Sequence, residues 1–122
     1  MSDNTMEKKL DAIEGVDIDA DGRFKYILIK VGKGSINKLI VRGYDSCGYH
    51  ADILDLVEPG IRALGFEVDC VGGGRILHEP NKKSILVYGY SQGFGRADHA
   101  KTVEILKRQY PAYNITYKNE GY

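Results

Sequence analysis

The sequence predicts an α/β (α+β) fold, in which a mixed sheet of five or six strands is flanked by two α-helices. Two observations lead to this class. Apolar residues alternate with period two in several short runs, as in strands, and recur with helical spacing in two longer segments. These segments follow one another in the order β-β-α-β-β-α-β, and the repeated β-β-α unit is typical of helices packed on a sheet.

The first predicted strand spans residues 23–31, and its side chains fall alternately on two faces. One face is mostly apolar but carries Lys25 near the start of the strand, where its ammonium group can be aimed at a pocket. The alternative is a lysine whose stem packs while its head reaches water. A second strand is predicted at residues 38–43, and Arg42 lies near its end.

The first predicted helix covers residues 49–64. Pro59 lies inside it and removes a backbone hydrogen bond, so we expect a kink or two short helices. The next strand, residues 66–71, runs into three glycines at 72–74, which allow close backbone approach or left-handed backbone. Residues 75–78 can continue the strand beyond this bend.

The apolar run at residues 84–90 is expected to be a central strand. A glycine-rich loop at residues 89–95 follows, then a helix over residues 96–110 and a last strand at residues 114–117. A strand, a glycine-rich loop and a helix N-terminus in this order form a good anion site, because unpaired backbone N–H groups point at the ligand. An ordinary strand-to-helix loop is the alternative.

Composition narrows the class of protein. The 122 residues fit one domain, which we place at residues 16–122 after a flexible arm or short helical turn at residues 1–15. Basic and acidic residues are equal at 17 each, which argues against a dedicated nucleic-acid binder. No apolar run approaches the roughly 20 residues of a membrane span, and two cysteines make no disulfide framework. We therefore expect a cytoplasmic monomer with no nucleic-acid or membrane partner.

His50 is the candidate for chemistry, because it lies in the first turn of the first predicted helix. The first N–H groups of a helix lack internal partners and attract anions. A side chain that can hold or release a proton near neutral pH would then stand beside an anion site. The alternative is a histidine that only makes a local hydrogen bond at the helix start.

Four segments in order resemble the Janus/Ocnus family of protein phosphohistidine phosphatases. They are residues 16–26 with the motif F-K-Y, residues 40–53 with Y-H-A-D, residues 72–76 with G-G-G-R-I and residues 87–100 with Y-G-Y-S. The C-terminal N-E-G-Y is also similar to the family's ending. The resemblance covers residues 16–122, and the ordered set of motifs is specific.

The resemblance implies a metal-independent hydrolase, without a cofactor, that removes phosphate from histidine-phosphorylated proteins. By this resemblance His50 is the essential residue and Lys25 contacts the phosphate. Ser91, Gln92 and Gly93 also hold the phosphate. Gln92 and Gly93 depart from the commoner residues of the family. This matters little if backbone N–H groups make the contacts, and it could alter substrate preference if a side chain takes part.

Three further residues, Arg42, Arg75 and His99, match family positions at or near the site, and we carry them as secondary site residues or structural residues. A phosphoramidate P–N bond is labile once its nitrogen is protonated, so charge stabilisation and an in-line nucleophile are sufficient. His50 can act as a general base on water, or it can attack phosphorus itself. The sequence favours the general base slightly and leaves the nucleophile open.

Other functions fit parts of the sequence. A non-catalytic phospho-ligand binding module would use the same Lys25 and loop. A zinc site could combine Cys47 and His50 with Cys70 and His78, although the spacing of the second pair is loose. An RNA-binding or purely structural domain could use the nine tyrosines and three phenylalanines for stacking or for core packing.

Overall fold

A single mixed sheet of six strands organises the computed structural model, which describes residues 4–121. The strands are β1 (Val16–Ile18), β2 (Gly22–Lys33), β3 (Ile36–Gly43), β4 (Glu67–Glu79), β5 (Ser84–Tyr88) and β6 (Asn114–Tyr117). From edge to edge their order is β1-β3-β2-β4-β5-β6. The β1–β3 and β5–β6 pairs are parallel and the other pairs antiparallel, so the predicted mixed sheet is confirmed.

Three α-helices cover the sheet, and a single 3-10 turn, Pro80–Lys82, joins β4 to β5. The helices are α1 (Asn4–Ala12), α2 (His50–Ala63) and α3 (His99–Gln109). Because side chains alternate along β2, Tyr26 and Leu28 pack in the core beneath α3, whereas Ile27 and Ile29 pack in the core beneath α1 and α2. The predicted two faces of this strand are therefore confirmed.

The prediction of a central strand at residues 84–90 is wrong in its position. The strand is β5, Ser84–Tyr88, and it is fifth of six, while the long strands β2 and β4 occupy the centre. The apolar run misled because Ile85 and Val87 are buried beneath α3 while Leu86 is apolar but only half-buried. A strand with one buried face and one half-covered apolar face gives the same continuous apolar run as a strand that is buried on both faces.

The predicted continuation through the three glycines is confirmed, because β4 runs unbroken from Glu67 to Glu79. A bulge leaves Val71 without a partner, since Cys70 pairs with Ile29 and Gly72 pairs with Leu28. Gly72 has φ +142°, and a Cβ there would lie 2.6 Å from the Ala97 backbone. Only glycine lets the chain pass this closely.

The N-terminal segment holds more structure than one turn. Helix α1 spans nine residues, and Leu10 and the following Ile13 are buried against the α2 side of the sheet. Residues 1–3 of the predicted arm lie outside the described residues, and the domain boundary at residue 15 stays a prediction. Sequence reasoning also missed β1, because three residues are too few to show a period.

Two helix predictions need correction. Helix α2 continues through Pro59 as one helix, so the alternative of two short helices is wrong. Helix α3 begins at His99 rather than at Arg96, because the Asp98 side chain accepts a hydrogen bond from the Lys101 N–H and caps the helix there. Within residues 4–121 no helix is long and apolar enough to cross a membrane.

Candidate functional site

A cavity of about 400 Å³ opens at the N-terminal end of α2 and brings together most of the predicted site. It contains the side chains or backbone of Lys25, Gly48, Tyr49, His50, Ala51, Arg75, Tyr90, Ser91, Gln92, Gly93 and Phe94. All five residues of the predicted catalytic and phosphate-binding set are therefore in its wall, together with one of the three secondary residues.

His50 is the first residue of α2, and hydrogen bonds hold both the backbone at the helix start and the imidazole ring. The Asp52 carboxylate accepts a 3.0 Å hydrogen bond from the Tyr49 N–H, which holds the start of the helix. The imidazole Nε2 lies 3.0 Å from the carbonyl oxygen of Gly74 on β4. Because a carbonyl only accepts, Nε2 carries the proton, and the neutral ring keeps its lone pair on Nδ1.

The electrostatics of the cavity favour this neutral form. Burial lowers the pKa of His50 below its ordinary value of 6.5, and the positive charges of Lys25 and Arg75 lower it further, while the Gly74 carbonyl opposes the shift. His50 is therefore uncharged at neutral pH. An unprotonated Nδ1 can accept a proton or act as a nucleophile.

Lys25 and Arg75 form the cationic wall of the cavity. They are direct partners across the β2–β4 ladder, so both side chains leave the sheet on the α2 side, where His50 lies. The sequence placed Lys25 on this face from strand periodicity alone, and that prediction is confirmed. Two cations at one wall make the cavity suited to a dianion such as a phosphoryl group.

The loop from Ser91 to Gly95 contributes another part of the cavity wall through residues 91–94, but not as predicted. It closes on itself: the Ser91 N–H donates to the Gly95 carbonyl, the Gly95 N–H donates to the Ser91 carbonyl, and Ser91 Oγ accepts from the Phe94 N–H. Seven residues lie between Ser91 and the first residue of α3, so the loop does not open a helix N-terminus. The N–H donors available here are therefore those of the loop itself and not those of a helix end.

The backbone of this loop leaves two N–H groups for a ligand. Within residues 4–121, neither the N–H of Gln92 nor that of Gly93 donates a hydrogen bond to a backbone acceptor, and both residues are exposed in the cavity wall. Ser91 is also a predicted phosphate contact, but its N–H is engaged by the Gly95 carbonyl. A second bond from the Gly73 N–H to the Gly95 carbonyl ties the loop to β4.

Arg42 does not reach the cavity. It is 6% exposed on β3, and its guanidinium group donates to the carbonyl oxygens of Val41 and Glu14. Burial lowers the pKa of Arg42, and the nearby Tyr44 and Asp17 oppose the shift. Of the two readings that the sequence left open, the structure supports the structural one.

His99 lies on the other side of the sheet from His50. Its Nε2 donates to the Gly89 carbonyl at 2.8 Å, and its Nδ1 accepts from the Tyr26 hydroxyl at 2.6 Å. The Tyr26 oxygen is also 3.0 Å from Thr102 Oγ1. Burial lowers the pKa of His99, so this network holds a neutral ring. His99 thus supports Gly89, where the loop begins, without entering the cavity.

The residues of the zinc alternative are not gathered. His78 is 2% exposed, and its two ring nitrogens face the Asp19 carbonyl and the Tyr113 hydroxyl. Cys47 and Cys70 are both free thiols. Within the described part of the chain, no three histidine, cysteine, aspartate or glutamate side chains form a group that could hold a metal ion.

Sequence reasoning missed two features of the site. Gly74 supplies the carbonyl that fixes His50, and the only signal for it was the triple glycine, which allowed close backbone approach without naming what approaches. The aromatic residues Tyr49, Tyr90 and Phe94 also line the cavity. Tyr49 is 74% exposed, so its ring is available to a ligand at the rim.

A larger cavity of about 540 Å³ lies between α3 and the β1–β3 edge. Its charged lining comes from Lys38, Lys101, Glu104 and Arg108, and it contains no histidine, cysteine or serine. It therefore lacks a histidine like the one that the cavity at α2 places beside two cations, and size alone does not make it the candidate site.

Comparison with known proteins agrees with the motifs. The sequence profile of the Janus/Ocnus family matches residues 10–114. The sex-regulated protein janus-A of Drosophila yakuba is 50% identical over 117 residues, which cover 95% of this chain and 87% of the relative. The 14 kDa phosphohistidine phosphatase of Sus scrofa is 47% identical over 117 residues, which cover 90% of this chain and 93% of the relative. The chain is a member of the Janus/Ocnus family.

Proposed function

We propose that this protein is a metal-independent phosphohistidine phosphatase that acts on histidine-phosphorylated proteins. The observation that carries the proposal is the placement of a neutral His50, fixed through Nε2 by the Gly74 carbonyl, beside the cations of Lys25 and Arg75. The relative from Sus scrofa, whose name includes phosphohistidine phosphatase, supports the same reaction class.

The proposed binding step uses the two walls of the cavity. The phosphoryl oxygens accept hydrogen bonds from Lys25 and Arg75 on one side and from the N–H groups of Gln92 and Gly93 on the other. These donors are fixed by the sheet and by the closed loop before substrate arrives. Preorganised donors stabilise charge in the transition state without the cost of reorganisation.

In the chemical step a water molecule attacks phosphorus in line with the P–N bond. The substrate ring carries a proton on its other nitrogen, so it leaves as neutral imidazole when the electron pair of the breaking P–N bond returns to it. The new O–P bond forms as the P–N bond breaks, and Nδ1 of His50 takes the proton of the water. The Nε2–H to Gly74 bond holds the ring orientation and favours the charge that forms on the imidazole.

The same geometry permits a second route in which Nδ1 of His50 attacks phosphorus directly. A phospho-His50 intermediate would then be cleaved by water. Rapid mixing and an alkaline quench, which preserves phosphohistidine, separate the two routes. The substrate carries a labelled phosphoryl group. Label recovered on His50 would show that His50 is the nucleophile, whereas label found only in substrate and inorganic phosphate would show that His50 is the general base.

The test of the function is hydrolysis of a phosphohistidine peptide in the presence of EDTA. We expect the wild type to turn over with the chelator present and His50→Ala to be at least about 10²-fold slower, since general-base catalysis is worth that much. Cys47→Ser is the matched control, because it changes the same turn three residues away and we expect full activity.

Each other outcome names a different function. Loss of turnover with EDTA, or inactivity of Cys47→Ser, would bring back the metal site. Phosphate binding without turnover would make the protein a phospho-ligand binding module. Unchanged turnover in a folded His50→Ala would remove His50 from the reaction.

A further inference from the structure

The side of the sheet that faces α2 is only partly covered. The core cluster on that side contains residues of α1, α2 and strands β2 to β4, and among residues 4–121 it includes none from β5 or β6. Leu77 on β4 and Leu86 on β5 are cross-strand partners on this side, half-buried, and belong to neither core cluster. Two neighbouring leucines therefore stay partly in water.

Positive charge collects beside these leucines. Arg23 is the partner of Leu77 across the β2–β4 ladder, so the two share a face. The Arg23 guanidinium and the Lys118 ammonium group each lie 5.7 Å from the centre of the Tyr88 ring, and Arg23 also donates to the Tyr88 hydroxyl. Tyr88 itself is buried, and we call the more accessible residues around it, Arg23, Leu77, Leu86 and Lys118, the open sheet face.

The open sheet face is continuous with the candidate site. A cleft of about 250 Å³ is lined by Arg23, Lys25 and Arg75, with Asp45 as the one carboxylate among its lining residues. Lys25 and Arg75 line the His50 cavity as well. Three cations against one carboxylate thus lead from the cavity out to the sheet face.

We propose that the open sheet face binds the polypeptide that flanks the phosphohistidine in the substrate, and that it selects a flank with carboxylate and apolar side chains. The proposal rests on the proposed phosphatase function, because only a phosphohistidine held in the His50 cavity places its flank here. Carboxylates match Arg23 and Lys118, and an apolar side chain covers Leu77 and Leu86. Charge complementarity and continuity with the cavity favour this occupant over a second copy of the chain.

The experiment compares kcat/KM for three substrates: free phosphohistidine, a phosphohistidine peptide flanked by Glu and Leu, and the same peptide with Gln for Glu. For the double variant Arg23→Glu/Lys118→Glu we expect about a tenfold loss on the acidic peptide, since reversing rim charges acts on encounter and affinity. We expect less than about twofold change on free phosphohistidine, and on the acidic peptide we expect the loss to shrink at high salt.

The matched control is Lys101→Glu/Lys107→Glu, which makes the same charge change on exposed positions of α3, on the other side of the sheet. We expect equal rates on all three substrates relative to the wild type. If the double variant does not fold, two other measurements replace it: Lys118→Glu alone and a salt titration of the wild type. In each we expect kcat/KM to fall more for the acidic peptide than for the other two substrates.

The outcomes separate the two proposals. No wild-type turnover of any of the three substrates would defeat the phosphatase function itself. Turnover of all three substrates with no preference for the acidic flank, or an equal loss on all three in Arg23→Glu/Lys118→Glu, would defeat the docking proposal alone. A concentration-dependent dimer that the double variant abolishes would assign the face to a second copy and also overturn it.

Discussion

His50 and Gly74 are joined by a 3.0 Å hydrogen bond from the imidazole Nε2 to the glycine carbonyl. From the other side of the sheet His99 packs on the same glycine, because a Cβ on Gly74 would lie only 2.7 Å from His99 Cε1. One glycine therefore separates two neutral histidines, of which only His50 reaches the cavity. The backbone position of Gly74 sets the orientation of the candidate base.

Gly73→Ala should move His50. A Cβ at this position would lie 2.8 Å from His50 Cδ2 and 2.8 Å from the Tyr26 carbonyl oxygen, so the ring must shift. We expect a loss of about 1–3 kcal/mol in the free energy of unfolding and at least about tenfold in kcat/KM, since misplacing a catalytic group is costly. Denaturant unfolding and phosphohistidine hydrolysis measure the two effects.

Gly60→Ala is the control for this change. It lies within α2, and a Cβ there would meet nothing within 4 Å. We expect unchanged kcat/KM and a gain of about 0.5–1 kcal/mol in stability, because alanine is the better helix former. Full activity of Gly73→Ala would show that the His50 orientation does not depend on this contact.

The pH dependence of activity should report His50. Burial and the charges of Lys25 and Arg75 hold its pKa below 6.5, so the acid limb of kcat/KM should lie below pH 6.5. Lys25→Met removes one of these charges, and we expect the pKa of His50 to rise. A titration of the His50 ring by NMR measures this directly, with the exposed Lys30→Met as the control. An unchanged His50 titration in Lys25→Met would contradict the charge assignment.

The free energy of unfolding should also depend on the protonation of His50, together with that of His99. Burial lowers the pKa of both His50 and His99 below 6.5, so the unfolded chain binds protons first as the pH falls. We therefore expect the free energy of unfolding to be greatest above pH 6.5 and to fall as the pH drops below it. Denaturant midpoints between pH 7 and pH 5 measure the slope, which should be smaller in His50→Asn.

Substitutions of Arg42 and of Arg75 should have different effects on stability and activity, although the sequence grouped the two residues. Arg42→Met leaves the carbonyls of Glu14 and Val41 without their donor, so we expect a loss of about 1–3 kcal/mol in stability and normal kcat/KM for the folded protein. Arg75→Met removes a cation from the cavity, and we expect about a tenfold to hundredfold loss in kcat/KM. Equal activity losses in the two variants would contradict this division.

The parts of the site that the sequence predicted depend on local pattern. Strand periodicity placed Lys25 on the mostly apolar face of its strand, which the structure shows to be the α2 side, and the turn before the first helix placed His50 at the helix start. Both predictions use only neighbouring residues, whose geometry is set by the backbone of one element. The helix N-cap at Asp98 was a local signal that the prediction overlooked, because aspartate is a preferred N-cap residue and the predicted helix began two residues earlier.

The remaining features depend on contacts between distant elements. The Gly74 carbonyl reaches His50 from 24 residues away, and Arg42 donates to Glu14 across 28 residues. The order of strands in the sheet also follows from strand pairing rather than from composition. It places the strand predicted at residues 84–90 away from the centre. A single sequence carries no direct signal for such pairs, whereas the motifs of a family imply them only by resemblance.

Ser91 and Gln92 should differ in their effect on activity. Ser91 Oγ accepts from the Phe94 N–H and closes the loop, so Ser91→Ala should loosen both N–H donors and raise KM by about threefold to tenfold, the value of one hydrogen bond. Gln92→Ala keeps its backbone N–H, and we expect less than about a twofold change, within the range of a surface substitution. A large loss in Gln92→Ala would assign the contact to its side chain.

Tyr26→Phe tests the network behind the loop. The Tyr26 hydroxyl donates to His99 Nδ1 at 2.6 Å, so its removal leaves a buried acceptor without a partner and should cost about 1–3 kcal/mol in the free energy of unfolding. Thr102→Ser keeps a hydroxyl 3.0 Å from Tyr26 and is the control, with a smaller loss expected. Because His99 Nε2 holds the Gly89 carbonyl, the loss in Tyr26→Phe should be accompanied by a shift of the His99 ring ¹⁵N resonances. Unchanged stability and unchanged resonances would mean that the tyrosine does not fix the histidine, and the support of the loop would then come from the strand pairing of β4 and β5 alone.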